Sequence, residues 1–391
     1  MNRPLLSIII PTRNRYATLI PVVEALEKRF VDSDIEILVQ DNSDNNIVFT
    51  NYLKESVVNK LKYFYYPHKV SMVENSEFAI ANSTGSYLIF IGDDDIVNPM
   101  IMKVVEIMEM KNIQSIIYPI ANYFYPDVKF HKEYGFHKPG LLSFNRDIDY
   151  RIAVLNTKQE IERVKRIGGI FILDLPRLYH GVINRALIEK VYREYGKFVP
   201  GPCPDMTTST AIATLIDFHH KINIPLSVAG NSSASEGGKG PTNGHVVNLE
   251  EKSWLNQEDI KDWNNKLPRI FSRETIWAQS FFHVLSLTSR PQLNYKAVYN
   301  SMIFSCPNKV LPLVNKLYFS TVEKPSGYVQ ILIAYFKRYF KIFVFSCPVS
   351  IIEKFMLLRG DYRAKQEIAG VKSISECMSI LEINSKNIKN V

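Results

Sequence analysis

The sequence predicts an α/β chain in which a mostly parallel sheet is flanked by helices and followed by a helical C-terminal region. Three observations carry that class. Short apolar runs alternate with helical periodicity through the first third of the chain. Each run ends in polar turn chemistry, and beyond about residue 245 strand signals give way to Trp-, Phe- and Lys-rich helical spacing. Strands that alternate with helices are joined by crossovers, which bring parallel pairing and helices on both faces.

The elements follow in order. "LLSIIIPT" (5–12) is an apolar strand closed by Pro11. "YATLIPVVEALEKRF" (16–30) sets Leu19, Val22, Val23, Leu26 and Phe30 at helical spacing. "IEILVQDNSDNN" (35–46) is a second strand, running into Asp41 and a polar turn, and "LKYFYYP" (61–67) is a third. "MVENSEFAIANSTG" (72–85) reads as a helix stopped by Gly85. "SYLIFIGDDDIVNP" (86–99) is a strand that ends on three aspartates; a helix near 99–112 and the strand "SIIYPI" (115–120) follow. From about 127 to 165 the pattern dissolves into mixed polar and aromatic sequence, expected to be an insertion. It recovers at "GGIFILDLPRLYHGVINRALIEKV" (168–191). "VPGPCPDMTTSTAIATLI" (199–216) is a Pro-rich loop entering a helix at Asp205, "KINIPLSVAG" (221–230) is a short strand, and the Gly/Ser-rich 230–244 is expected to be a mobile loop.

Bulk composition narrows the function. With 391 residues, 46% hydrophobic and 22% charged, the chain is globular rather than disordered. Its net charge of +8 favours an anionic partner: a nucleotide, a phospholipid surface or a nucleic acid. The basic excess is spread along the chain with no recognition module, which argues against nucleic acid. Cys203, Cys306, Cys347 and Cys377 form no CxxC pair, so neither a zinc site nor a disulfide framework is expected, and a reducing compartment fits. The N-terminal apolar run is too short for a signal peptide, and no stretch reaches the ~18 apolar residues of a membrane-spanning helix.

In parallel sheets ligands bind at the carboxyl edge of the strands. Pro11–Arg15, Asp41–Asp44 and Asp93–Asp95 all fall on that edge. Three adjacent carboxylates repel one another unless solvent or a cation neutralises them, and hard carboxylate oxygens suit Mg²⁺ or Mn²⁺. One Asp would suffice for a turn and helix cap, so the surplus favours a site. In "PTRNR", Arg13 and Arg15 could hold phosphate. Asp41 could grip ribose or a base edge, or simply make an Asx-turn. Asp205 stands before a helix on a loop stiffened by three prolines, which suits a general base but also a plain N-cap. His180 reads as a buried, hydrogen-bonded histidine, and His219–His220 lacks metal-ligand spacing. "GGKG" at 237–240 lacks the following Ser or Thr and the leading Gly of a P-loop.

Together, "LSIIIPTRNR", "ILVQDNSDN", "NSEFAIANSTGSYLIFIGDDDIVNP" and "LYHGVINRALI…PCPDMTTSTAIA" resemble a family 2 glycosyltransferase of the GT-A, Rossmann-like fold, of the bacterial surface-polysaccharide type. The resemblance covers about residues 4–230. It implies a nucleotide-diphospho-sugar donor (a UDP-sugar first), Mg²⁺ or Mn²⁺, inversion at the anomeric carbon, and a glycan or lipid-linked glycan acceptor of capsule or O-antigen assembly at the cytoplasmic side. It also implies that Pro11, Thr12, Arg13, Arg15 and Asp41 contact the nucleotide, that Asp93 lies near the ribose, that Asp94 or Asp95 ligates the metal, and that Asp205 is the catalytic base. Two departures stand out. Gly92 takes the place of the first acid of the metal motif, and Pro204 replaces the acid that commonly precedes the base.

The expected organisation is a catalytic domain over 1–230, a mobile loop over 231–245 and a helical region over 246–391. In that last region "SGYVQILIAYFKRYFKIFVFSCPVSIIEKFMLLRG" (326–360) mixes Lys337, Arg338 and Lys341 with apolar residues, as an interfacial helix on an anionic membrane would, or as a stripe packed into a core would. Two rival functions remain open. A sugar-phosphate nucleotidyltransferase wants a Gly-rich loop after the first strand, and "PTRNRYATL" has no glycine. A non-catalytic nucleotide or polysaccharide binder would bind donor without turnover.

Overall fold

The computed structural model describes residues 3–135, 137–289, 291–322, 326–346 and 365–386. Its first strands are β1 (Leu6–Thr12), β2 (Ile35–Asp41), β3 (Leu61–Tyr65), β4 (Tyr87–Phe90), β5 (Ile96–Val97) and β6 (Ser115–Ile117). Between them lie α1 (Tyr16–Arg29), α2 (Ile47–Glu55), α3 (Met72–Asn82) and α4 (Ile101–Met110). Apart from α2, which follows the polar turn at 42–46, and the two-residue strand β5, these are the elements expected from the periodicity. β7 (Ala121–Phe124), β8 (Leu141–Asn145), β9 (Asp149–Asn156), α5 (Thr157–Arg166), β10 (Gly181–Asn184), α6 (Arg185–Tyr195), α7 (Pro204–Leu215), β11 (Phe218–Asn223) and β12 (Ser227–Asn231) complete the α/β part.

An eight-stranded sheet runs β3-β2-β1-β4-β10-β6-β11-β9. The pairings of β1 with β2 and β4, of β2 with β3 and of β6 with β11 are parallel; β10 and β9 run against their neighbours. The order reverses beside β1, so the carboxyl ends of β1, β2 and β4 open one crevice, and Thr12 pairs in register with Asp41. The sheet is apolar on both faces. One packs on α1 and α4 through Leu19, Leu26, Val105 and Met108; the other packs on α3, α6 and α7 through Ile80, Ile188 and Ile212. A smaller sheet, β15-β8-β7-β12-β5, sits beyond it, with β15 (Lys365–Ile368) contributed from late in the chain.

The stretch 127–165 is more regular than its sequence suggests. β9 is an edge strand with no buried residue, so it shows no buried alternation. β8 is buried because β7 and β15 flank it, a fact no local window contains. The Gly/Ser segment is also structured. Ser235 accepts from Gly238 N to cap a short helix, α8 (Glu236–Lys239), followed by a 3₁₀ turn (Gly240–Thr242). After the short hairpin β13 (Val247–Asn248)–β14 (Ile270–Phe271), which brackets α9 (Gln257–Lys261), come α10 (Arg273–Thr288), α11 (Tyr295–Ser305), α12 (Leu311–Thr321) and α13 (Ser326–Ser346). Their apolar faces join Val164, Leu175, Cys203 and Met206 in one cluster, so the helical region is packed continuously onto α7.

In α13 the basic trio does not form one solvent face. Arg338 is buried and donates to the carbonyls of Ile303 and Cys306, and Lys341 lies over the Phe304 ring. Residues 347–360 of the interfacial stretch lie outside the described residues. Among those described, no helix is long and apolar enough to cross a membrane.

Candidate active site

The three aspartates are not a solvated turn. β4 is wholly buried, and beyond it Asp95 N–H bonds back to Gly92 C=O, folding Gly92–Asp95 into a tight turn before β5. Asp93, Asp94 and Asp95 are 2%, 3% and 1% exposed. Three buried anions demand partners, and the chain supplies them.

Arg15, just past β1, lies between the first two. Its Nη1 is 2.9 Å from Asp93 Oδ1 and its Nη2 is 2.6 Å from Asp94 Oδ2. Thr12 Oγ1 donates to Asp93 Oδ2 (2.6 Å). Ser232, after β12, gives Asp94 Oδ2 both its N–H (3.1 Å) and its hydroxyl (2.7 Å). Asp95 is served by other groups. Its Oδ2 accepts from Gly92 N (2.6 Å) and the Tyr179 hydroxyl (2.7 Å) and lies 3.0 Å from His180 Nε2; its Oδ1 accepts from Gly230 N (2.7 Å). His180 Nδ1 in turn meets Ser227 Oγ at 2.8 Å. His180 holds φ +53°, a left-handed conformation uncommon outside glycine, and the network of Asp95 and Ser227 holds it there.

Electrostatics follow this pairing. Burial pushes the Asp93 and Asp94 carboxyls up, against the pull of Arg15. Burial acts on Asp95 too, yet the His180 imidazole and the Tyr179 and Gly92 hydrogen bonds bring it below the ordinary aspartate range.

Asp205 sits nearby on α7. It is not the N-cap that its position before the helix suggested: Cys203 is the cap, Pro204 takes the first helical position and Asp205 the second. Its carboxylate accepts no hydrogen bond from another side chain among the described residues. Burial pushes it up to about 6, opposed by His180 and reinforced by the Asp95 charge. Such a value suits proton acceptance near neutral pH.

Residues 7–167 match the family described as Glycosyl transferase family 2. This chain is a glycosyltransferase. Its fold also aligns, at TM-scores below 0.5, with S. aureus TarS. The TarS 1–349 crystal structure with UDP-GlcNAc is 13% identical and aligns over 85% of this chain and 89% of that one at TM-score 0.46. A further crystal structure of S. aureus TarS is 12% identical and aligns over 85% of this chain and 54% of that one at TM-score 0.41. No curated protein matches the sequence.

The transferase brings Thr12, Arg15, Asp93, Asp94 and Asp95 into one network, with Asp205 beside it. Other expected residues lie apart. Asp41 is fully buried; its Oδ2 accepts from the hydroxyls of Tyr16 (2.6 Å) and Tyr63 (2.7 Å), and its Oδ1 from Ser43 N (2.8 Å). Arg13 pairs with exposed Asp44 at 3.2 Å, and Pro11 lies within β1 opposite Gln40.

Among the described residues no three His, Cys, Asp or Glu side chains group as a metal site. Of the six oxygens of Asp93–Asp95, Asp94 Oδ1 is the one without a partner among the described residues, whereas both oxygens of Asp95 are engaged. That fits one carboxylate ligand, sufficient for a cation whose other ligands are phosphate and water. It does not fit Asp95 as a ligand in this arrangement.

Tyr179, Gly230 and Ser232 escaped the sequence reading, and His180 was read as structural. Gly92 now has a reason. A Cβ there would lie 3.0 Å from the Tyr179 hydroxyl, which occupies the space an acidic side chain would need. At Gly230 a Cβ would fall 1.8 Å from Asp94 C=O. The signal available for both was a glycine within strand-like sequence, a mark of close backbone approach.

Proposed function

We propose that the enzyme is an inverting glycosyltransferase that takes a sugar from a nucleotide-diphospho-sugar, UDP-linked in the first instance. The acceptor would be a glycan or lipid-linked glycan in bacterial surface-polysaccharide assembly (capsule or O-antigen) at the inner face of the plasma membrane. Residues 1–230 act as the catalytic unit, 231–245 as a connecting segment beside the donor and 246–391 as a helical region. One observation supports this reading above the others. A carboxylate without side-chain donors, Asp205, stands near the hydrogen-bonded acidic turn at the carboxyl edge of the sheet.

In the reaction an acceptor hydroxyl gives its proton to Asp205 as its oxygen attacks the anomeric carbon from the face opposite the leaving group. The bond from that carbon to the diphosphate breaks, and the electron pair leaves with the nucleoside diphosphate. One new glycosidic bond replaces one glycosyl–phosphate bond, with inversion. Arg15 holds Asp93 and Asp94 in place; Asp93 lies nearest the ribose, with Thr12, Pro11, Arg13 and Asp41 around the nucleotide. Asp94 would hold Mg²⁺ or Mn²⁺, which supplies positive charge to the departing diphosphate.

The test pairs binding with turnover. UDP-, GDP- and dTDP-sugars, each with and without Mn²⁺, are screened for a rise in melting temperature. The stabilising donor, radiolabelled, is then incubated with glycan and lipid-linked acceptors, and the product anomer is read by NMR. Inverted product supports the proposal; retained configuration excludes the single displacement. Binding without transfer to any acceptor favours the non-catalytic reading. Cation-dependent donor binding that Asp94→Asn removes assigns the metal ligand, and unchanged binding and turnover in EDTA would reject the metal.

A further inference from the structure

The outer face of α13 has no counterpart among the described residues. Val329, Leu332, Ile333 and Phe336 recur at i, i+3, i+4 and i+7, which puts them on one stripe, and all are exposed; Leu332 and Phe336 are 68% and 71% exposed. Tyr339 flanks the stripe. The opposite face is buried through Ile331 and Ala334. Arg338 belongs to that buried face, where it closes the C-terminal end of α11 through Ile303 C=O (2.7 Å), Cys306 C=O (2.8 Å) and Asn308 Oδ1 (2.5 Å). The apolar surface continues onto α12, where Phe319 meets the Tyr328 ring at 5.5 Å. An exposed apolar surface of this kind marks an interaction site.

Charge indicates the partner. Neither α12 nor α13 contains an acid. From 289 to 346 the sequence has eight Lys or Arg against one acid, Glu323. Exposed Lys337 adjoins Phe336, and exposed Lys316 lies one turn before Phe319. Apolar side chains on one stripe with lysines beside it match the acyl–headgroup boundary of an anionic bilayer. We propose that the α12–α13 face docks on an anionic lipid surface, with α13 lying in the interface plane.

The location gives this surface a use. At its C-terminal end α13 meets the segment after β7: Lys132 Nζ donates to Phe345 C=O (3.0 Å), and the Tyr134 and Phe345 rings are 4.9 Å apart. In the same segment Asp127 accepts from Ser233 N, next to the Ser232 that holds Asp94. Docking therefore brings the acidic edge of the sheet toward the bilayer that would carry a lipid-linked acceptor. Only this use rests on the transferase reading; the docking itself needs no donor.

The experiment is flotation of the full chain with vesicles of phosphatidylcholine alone or with one-third phosphatidylglycerol, at low and high salt. Wild type is expected to float with the anionic vesicles at low salt. Leu332→Asp/Phe336→Asp should lower partitioning by at least about tenfold, with an unchanged melting temperature. Lys316→Glu/Lys337→Glu, at exposed positions, should weaken binding and its salt dependence even if the aspartate variant misfolds. Wild type remaining at the bottom, or either variant floating like wild type, overturns the proposal. So does a wild-type dimer in gel filtration that Leu332→Asp/Phe336→Asp splits into monomers, since a second copy then covers the face. A chain that floats yet transfers no sugar would leave the docking standing and remove the transferase reading alone.

Discussion

Asp95, in the turn after β4, and Asp205, in the first turn of α7, feel the same imidazole and respond in opposite ways. Both are pushed up by burial. Asp95 takes hydrogen bonds from Gly92, Tyr179 and Gly230 as well as the contact with His180, and ends below the usual range. Asp205 senses His180 through space and ends near 6. The difference lies in saturation by donors. A carboxylate with every lone pair engaged supports its surroundings; one without side-chain donors keeps a site for a proton.

The largest test of that contrast is Asp205→Asn. Turnover should fall roughly 10²–10⁴-fold with donor affinity near wild type, measured by initial rates alongside equilibrium binding. Because Cys203 holds the cap position, no helix cap is lost. An Asn variant with normal turnover would return Asp205 to a structural role.

Asp95→Asn should act on the fold. Replacing the anion that anchors His180 and the Tyr179 hydroxyl is expected to cost about 2–4 kcal/mol in denaturant unfolding. If stability is unchanged while donor binding disappears, Asp95 rather than Asp94 faces the ligand.

Asp205→Asn should also stabilise the protein at pH 8, by roughly 1–3 kcal/mol. The sign follows from the raised value. Ionising a carboxyl whose folded pKa exceeds its unfolded one costs stability, so the wild type is penalised as pH rises through about 6. The advantage of the Asn variant should shrink on acidification and vanish below about pH 4, where Asp205 is protonated in both states. Thermal melts across pH measure it. The smallest expected effect is kinetic: wild-type turnover should lose a factor of about ten per pH unit below the Asp205 value near 6, and a limb absent there would separate the base from this residue.

Much of the frame was legible because it is local. β1, β2 and β4 are buried, largely apolar runs, and the acids at the ends of β2 and β4 announce the ligand edge. What escaped depends on distant partners. Arg15 and Ser232, both on Asp94, are 217 residues apart, so nothing near either names the other. His180 reads as an ordinary buried histidine until Asp95 and Ser227 appear on its two nitrogens. α8 was hidden by glycines, and its single cap, Ser235, lies in a run of similar serines. The basic trio of α13 misled because Lys and Arg were counted as charge, whereas Arg338 serves as a donor to carbonyls.

The strand β15 lies between the loop at Gly140 and the helix Ile374–Lys386. Val371 N–H donates to Gly140 C=O, and Arg29 on α1 reaches Glu382 Oε1 (3.0 Å) and Ser375 C=O (2.8 Å). On the ribosome, β8 is made long before its partner. At ordinary synthesis rates the gap is roughly 10–45 s, during which the outer edge of the smaller sheet has no neighbour and the slot beside α1 stands open. Vectorial synthesis therefore leaves the nascent transferase with an unpaired apolar edge for most of its production, a species that chaperones recognise and that can pair with other chains. The sheet is finished from its far end of the sequence, so the acidic turn is assembled on a scaffold whose last strand arrives after almost everything else.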